Sequence, residues 1–294
     1  MKVKWPLNSR ATKIFYSAFL PAFFYWLLSP RQSMALYRPL LFHPNPLPES
    51  LNSETLIEVY GRLPEEVWLA CGRQRLHGYY FPLSEALYTV LIHHGNSGNM
   101  LDRAKLVRWL LSLNLSVFIY DYRGFGGSSG LTSVKTIVED GLCAFDFLTG
   151  RGIPESSIVL YGESLGVAVS ANVASLRKPA ALFLQSGFSS LRQVALETFP
   201  LLGLYPQKLY PKPTLNSASL LAKGHPPLLI AHGKLDPSVS VSHAYKLYDA
   251  ASGDKELLIV EEGLHNDLVA NHPKLMTAAL NRLLARTRSG KDMG

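Results

Sequence analysis

Gly162-Glu163-Ser164-Leu165-Gly166 follows directly on the apolar run Ile158-Val159-Leu160-Tyr161 and leads into a small-residue helical stretch, Val167 to Leu176. A G-x-S-x-G sequence between a strand and a helix commits the chain to a sharp turn. Only glycine lets the backbone turn that tightly and lift the serine hydroxyl clear of the sheet. Ser164 is therefore the expected nucleophile. A second copy, Gly126-Gly127-Ser128-Ser129-Gly130, lies several residues beyond the strand Val117 to Tyr120 in a glycine-rich loop. Ser128 reads as a loop serine without rigid support.

A serine hydroxyl is inert near neutral pH, so a nucleophilic Ser164 requires a base and a group that orients the base. Asp236 lies in His232-Gly233-Lys234-Leu235-Asp236, just after the apolar strand Leu228-Leu229-Ile230-Ala231. His265 lies in Gly263-Leu264-His265-Asn266-Asp267, just after the strand-like run Leu257-Leu258-Ile259-Val260. Three polar residues placed after three separate strands meet at one sheet edge. Taken singly, Asp236 is equally a helix N-cap, and His265 is one of several histidines with His93, His94, His225, His232, His243 and His272. Their agreement in order and strand position selects them. Asp267 and Asp254 are weaker acids, since neither directly follows a recognisable strand.

The developing oxyanion needs two backbone N–H groups. Leu165, the residue after the nucleophile, supplies one by position. The other is expected from Asn96 in the loop His94-Gly95-Asn96-Ser97-Gly98-Asn99, which follows the strand Tyr88 to His93. Asn99 is the expected N-cap of a helix over Met100 to Leu113.

With these residues assembled, the chain resembles the α/β-hydrolase-domain serine hydrolases, particularly the membrane-associated group with depalmitoylase-like and lysophospholipase-like members. The resemblance rests on Val67-Trp68-Leu69 with Leu76-His77-Gly78-Tyr79-Tyr80, on His94-Gly95-Asn96, on Asp121-Tyr122-Arg123-Gly124-Phe125-Gly126, on the serine turn, on His232-Gly233 with Asp236, and on Gly263 with His265-Asn266-Asp267. It covers roughly Glu58 to Leu284. Such proteins often carry proline where this chain has Ser240, a departure with no expected mechanistic consequence. The order Ser, Asp, His is that of the family. The resemblance implies an α/β fold with a mostly parallel central sheet, helices on both faces and a short cap. It does not fix the substrate.

The spread of motifs over the 294 residues implies one catalytic domain over 51–286 with a cap about 188–226, an amino-terminal segment and linker over 1–50, and a polar tail over 287–294. Ile14 to Leu28 is an uncharged apolar run preceded by Lys2, Lys4, Arg10 and Lys13. It is shorter than the roughly 20 residues of a spanning helix, and Ala11, Thr12 and Ser29 bring it close. A single membrane anchor is the expected reading, its orientation left open by Arg31 and Arg38 on the far flank. Pro30-Arg31-Gln32-Ser33 offers no convincing signal-cleavage site. A helix lying in the membrane interface and a cleaved signal are the other readings.

The formal net charge of +7 comes without a nucleic-acid module or a basic stripe interleaved with stacking aromatics, so no nucleic-acid partner is expected. Attraction to membrane lipid is the alternative use, beside ordinary solubility charge. Cys71 and Cys143 are too few for a disulfide framework and too far apart in sequence for a zinc pattern. Neither metal nor cofactor is expected, since a serine triad transfers acyl groups to water unaided.

Between the strand Ala181 to Leu184 and that beginning at Leu228, the segment holds Phe199, Leu201, Leu202, Leu204, Tyr205 and Tyr210 among prolines. It either caps the site or completes the core. As a cap it favours a lipophilic ester or thioester, because an apolar wall penalises hydrophilic groups. Arg192, Lys208 and Lys212 are candidates to meet a phosphate-bearing head group. The expected activity is hydrolysis through an acyl-enzyme. The alternatives are an aminopeptidase-like serine peptidase, which needs an acidic pocket for a free amine, and a non-catalytic membrane-tethered adaptor that keeps the fold.

Overall fold

The structure, a computed structural model, describes Ser17 and Phe19 to Ser289. The start of the apolar run, from Ile14 to Tyr16 together with Ala18, and tail residues 290–294 lie outside the described residues. Helices α1 (Leu20–Leu27) and α2 (Met34–Leu41) come first, followed by the two-residue strand β1 (His43–Pro44) and α3 (Ser53–Tyr60). Then come β2 (Glu65–Cys71), β3 (Gln74–Phe81), β4 (Thr89–His93), β5 (Ser97–Gly98), α4 (Ala104–Ser112) and β6 (Ser116–Tyr120). α5 (Val134–Gly150), β7 (Ile158–Glu163), α6 (Leu165–Ala174) and β8 (Ala181–Gln185) follow. The cap holds α7 (Leu191–Thr198), 3-10 turns at Pro200–Leu204 and Gln207–Leu209, and α8 (Ser217–Leu221). The chain closes with β9 (Leu228–Gly233), α9 (Ser242–Ala250), β10 (Lys255–Val260), α10 (Leu268–Asn271) and α11 (Pro273–Ser289).

The eight-stranded sheet has the order β10-β9-β8-β7-β4-β6-β3-β2. Only the β2–β3 and β3–β6 pairs are antiparallel. β4 lies between β6 and β7, so successive connections leave it in opposite directions, and a crevice opens at its carboxyl end. Side chains alternate along each strand between two apolar layers. Leu91, Phe118, Leu160, Leu182 and Leu228 face one side, and Val90, Val117, Val159, Phe183 and Leu229 the other. Strands covered on both faces read as continuous apolar runs, which is why they are legible in the sequence. This is the α/β-hydrolase architecture expected above.

Three features depart from expectation. Cys71, at the end of β2, is bonded to Cys143 on α5 across a sequence separation of 72. Closing a loop of that length removes about 4 kcal/mol of unfolded-chain entropy, so the edge hairpin is stapled to its helix. The expected helix over Met100 to Leu113 begins as a 3-10 turn over Met100–Arg103, with α4 following. Finally, no helix among the described residues is long and apolar enough to cross a membrane. The described part of the apolar run forms α1, eight residues long, and it lies on the cap. Tyr25 stacks on Tyr205 with ring centroids 4.8 Å apart, and the Arg31 N–H donates to Leu209 O at 2.9 Å.

Candidate active site

β7 ends at Glu163 and α6 begins at Leu165, leaving Ser164 alone in the turn with φ 54° and ψ −112°. A side chain there strains the backbone by about 1–3 kcal/mol. The flanking glycines make the turn possible. A Cβ on Gly166 would stand 1.8 Å from His93 O, and one on Gly162 would stand 2.5 Å from Gly166 O. The end of β4 and the turn after β7 thus touch backbone to backbone. The Ser164 N–H donates to Gln185 O at 2.9 Å.

The structure brings the three expected residues together. Ser164 Oγ is 3.0 Å from His265 Nε2, and His265 Nδ1 is 2.6 Å from Asp236 Oδ2. A carboxylate only accepts, so Nδ1 carries the ring proton and Nε2 presents a lone pair to the hydroxyl. Asp236 Oδ1 accepts from the N–H groups of Ser238 at 2.8 Å and Val239 at 2.9 Å. Burial pushes its carboxyl pKa up, but hydrogen bonds from His232, His265 and Val239 outweigh burial and hold it far below the usual carboxylate range. Asp236 is not an N-cap, since α9 begins at Ser242 behind Val241.

The other acids and histidines are occupied elsewhere. Asp267 Oδ1 accepts from the Leu264 N–H at 2.8 Å and so braces the histidine loop. Asp254 pairs with Arg286. His93 is bonded to Ser170, and His243 to Ser189 and Glu197. His232 is the residue that sequence reasoning passed over. Its Nε2 lies 3.1 Å from Asp236 Oδ2, and its only signal was its position at the strand end, four residues before the acid. Ser128 is not loosely held, contrary to expectation. It is buried, its Oγ accepts from the His77 N–H at 2.8 Å and donates to Asp121 O at 2.7 Å, and it ties the glycine-rich loop to β3.

Leu165 and Asn96 border the same cavity as Ser164 and His265. Neither backbone N–H is used in a hydrogen bond among the described residues. The Asn96 peptide is held from both sides. His94 Nδ1–H donates to Gly95 O at 2.8 Å, and the Tyr122 hydroxyl to His94 O at 3.0 Å. Asn99 caps the following turn as expected, accepting from the Leu101 N–H at 2.9 Å. Beneath the loop, Arg103 Nη2 and Glu163 Oε1 form an ion pair at 2.9 Å with both side chains nearly buried.

The cavity has a volume of about 380 Å³. Leu191, Val194, Phe199, Leu202 and Tyr210 of the cap form one wall, and Pro30, Tyr37, Leu40 and Leu41 of the amino-terminal segment form the other. That second wall has no counterpart in the sequence reading, which assigned residues 1–50 to an anchor and linker. Residues of the segment between β8 and β9 thus line the cavity, while Leu191, Leu215 and Leu221 of the same segment also join the core. Of the expected head-group cations, Arg192 lies over the Tyr210 ring at 5.5 Å, whereas Lys208 and Lys212 are exposed and do not line the cavity. Among the described residues no three His, Cys, Asp or Glu side chains are grouped to hold a metal ion.

A family model described as serine aminopeptidase S33 matches residues 84–223, a stretch that holds the loop His94 to Asn99 and the serine turn but neither Asp236 nor His265. The chain is similar to the uncharacterized protein YfhR of Escherichia coli K12, 31% identical over 276 residues, 89% of this chain and 90% of that protein. It is similar to alpha/beta hydrolase domain-containing protein 17C of Xenopus tropicalis, 34% identical over 186 residues, 62% of this chain and 57% of that protein. An esterase of Pyrococcus furiosus has a similar structure at 16% identity, with a TM-score of 0.69 over 84% of this chain and 98% of the esterase.

Proposed function

Because the chain belongs to the α/β-hydrolase family, we propose that it is a serine hydrolase cleaving lipophilic acyl esters or thioesters through an acyl-enzyme intermediate. His265 Nε2 takes the proton from Ser164 Oγ as Oγ bonds to the substrate carbonyl carbon. The carbonyl electron pair moves onto oxygen, where the N–H groups of Asn96 and Leu165 hold it. Collapse expels the alcohol or thiol, which leaves with the proton from His265. Water then attacks the acyl carbon by the same route and restores Ser164. Asp236 keeps the imidazole in its tautomer and offsets the charge it gains.

The observation that carries this reading is the hydrogen-bonded series Ser164, His265, Asp236 at the floor of an apolar cavity. A series of p-nitrophenyl esters from acetate upward tests it. Burial of each methylene is worth about 0.8 kcal/mol, so kcat/KM should rise about fourfold per methylene until the cavity is full. Ser164→Ala should lose the activity and its labelling by a fluorophosphonate. An active Ser164→Ala protein would overturn the assignment, and a preference for acetate would overturn the lipophilic substrate.

A second reading, a peptidase acting on a free amine, is favoured by the description of the family model and by Glu163 at the cavity. The carboxylate is already bound by Arg103, which leaves the pair neutral toward an incoming amine. Faster hydrolysis of aminoacyl arylamides than of acyl esters would select the peptidase.

The partner proposed for the amino-terminal segment is a membrane surface. Leu201 and Leu204 of the cap are 79% and 70% exposed, and Phe24, Trp26 and Leu27 of α1 are exposed beside them. Apolar surface in water costs about 25 cal/mol per Å², and the basic residues Lys2, Lys4, Arg10 and Lys13 suit anionic lipid. Flotation of the full chain with vesicles containing phosphatidylglycerol, persisting in high salt, is the expected result. Protein left at the bottom of the gradient would remove this partner.

A further inference from the structure

We propose that residues 41–45, the strap running from the end of α2 through β1, position the oxyanion loop and thereby set the rate of the reaction. This rests on the reading above, in which the Asn96 N–H is an oxyanion donor. Such a donor accelerates the reaction only if it is already aimed before charge develops, and surface loops do not hold their aim unaided.

The contacts of the loop divide cleanly. Tyr122 holds His94, His94 holds Gly95, and Arg103 Nη1 donates to Ser97 O at 3.1 Å. These fasten the peptide that enters Asn96 and the residues on either side of it. Both hydrogen bonds made by Asn96 itself go to the strap. Its Nδ2 donates to Leu41 O at 3.1 Å, and its carbonyl accepts from the His43 N–H at 2.8 Å. The His94 bond to Gly95 O holds the peptide that carries the Asn96 N–H, and the two strap bonds hold the Asn96 side chain and the following peptide, so the strap stops the loop from turning at Asn96 beyond that point.

The strap is itself anchored. Phe42 is buried in the core, the Asn45 N–H donates to Gly98 O at 3.0 Å, and Asn45 O accepts from the Gly126 N–H at 3.1 Å. Asn99 Nδ2 reaches Pro46 O at 3.1 Å. β1 pairs with β5 in parallel, His43 opposite Ser97 and Pro44 opposite Gly98. A segment far from the catalytic residues in sequence thus supplies the far side of their loop.

The test uses the full chain. His43→Pro deletes one N–H at an exposed residue, and His43→Ala changes the side chain but keeps that N–H. Misplacing a reacting group by about 1 Å costs up to about 100-fold. His43→Pro should therefore lower kcat on a short ester by about 10- to 100-fold with KM little changed. It should weaken binding of a boronic acid, which mimics the tetrahedral intermediate, by the same factor. His43→Ala should match the wild type. Asn96→Ala keeps the backbone N–H but loses the tie to Leu41, and it should show a smaller loss of the same kind, whether or not His43→Pro folds. Equal losses in His43→Ala and His43→Pro, or a change confined to KM, would overturn the strap's role. Unchanged kcat in His43→Pro and Asn96→Ala, with Ser164→Ala dead, would overturn the strap alone. An active Ser164→Ala would overturn the underlying reading.

Discussion

His232 Nε2 lies 3.1 Å from Asp236 Oδ2, the same oxygen that accepts from His265. His232 Nε2 is also 2.9 Å from Val239 O, and both of these neighbours only accept, so the proton sits on Nε2 and is shared between them. The buried carboxylate is thereby kept both charged and oriented. His232→Phe should lower kcat by about 10- to 100-fold with KM nearly constant, less than the ~10⁴ lost when the triad acid itself is neutralised. His232→Gln keeps a donor and should recover part of the rate. Steady-state kinetics on one soluble ester decides this, and a wild-type rate in His232→Phe would show the contact to be idle.

Strain at Ser164 gives a second expectation. Alanine at this position keeps the positive φ and its cost, whereas glycine removes it. Ser164→Gly and Ser164→Ala should both be inactive, with the glycine variant more stable by about 1 kcal/mol. Denaturant midpoints of the two variants measure the difference. Equal midpoints would mean that the turn stores no strain.

Stability should fall with acid earlier than carboxylate titration alone would cause. Burial pushes His93 down to about 3, and His77 and His243 are also lowered by burial, against the opposing pull of Glu66 and Glu197. A histidine with a depressed folded pKa contributes stability above its unfolded value, about 6.5, and loses it as pH falls toward the folded value. His93 alone should cost about 1.4 kcal/mol per pH unit below that point, or about 2 kcal/mol by pH 5. Asp236 contributes nothing to this window, because its depressed carboxyl stays ionised there, whereas Asp140, raised by burial to about 6, takes up a proton in the folded state first and offsets about 1.4 kcal/mol of the His93 loss by pH 5. Urea unfolding at pH 7.5 and 5 checks the sign, and a flat profile would contradict it.

Ser128→Ala should keep its activity and lose stability. The variant strands the buried His77 N–H and Asp121 carbonyl, and an unsatisfied buried group costs about 1–3 kcal/mol. Thermal unfolding alongside ester hydrolysis separates the two effects. Loss of activity in a folded Ser128→Ala protein would give this second G-x-S-x-G copy a role in the chemistry.

The parts of the site that were legible in the sequence are those written locally. Ser164, Asp236 and His265 each follow an apolar strand, and buried strands advertise themselves by unbroken runs of Val, Ile and Leu. The glycines around Ser164 are required by backbone contact, so their spacing is visible too. Relationships between distant segments leave no such trace. β1 is two residues long and includes Pro44, so it carries no periodicity, and nothing in the sequence ties His43 to Asn96. The pairing of Cys71 with Cys143 is equally silent, since a single pair has no spacing rule. The apolar run at Phe19 to Leu28 was legible as apolar, but the contact of Tyr25 with Tyr205 that lays it on the cap was not.

The position of the strap bears on where this protein can be cut. Removing the chain ahead of Pro30 strips the exposed aromatics of α1 while keeping the wall at Tyr37 to Leu41 and the bonds to Asn96. A start at residue 51, the boundary that strand and helix patterns alone recommend, carries off that wall and the strap together. The shorter protein keeps every strand of the eight-stranded sheet and the residues Ser164 and His265 but loses Phe42 from the core and both bonds to Asn96, so slow turnover in it reads as the wrong substrate when the missing part is the chain's own upstream backbone.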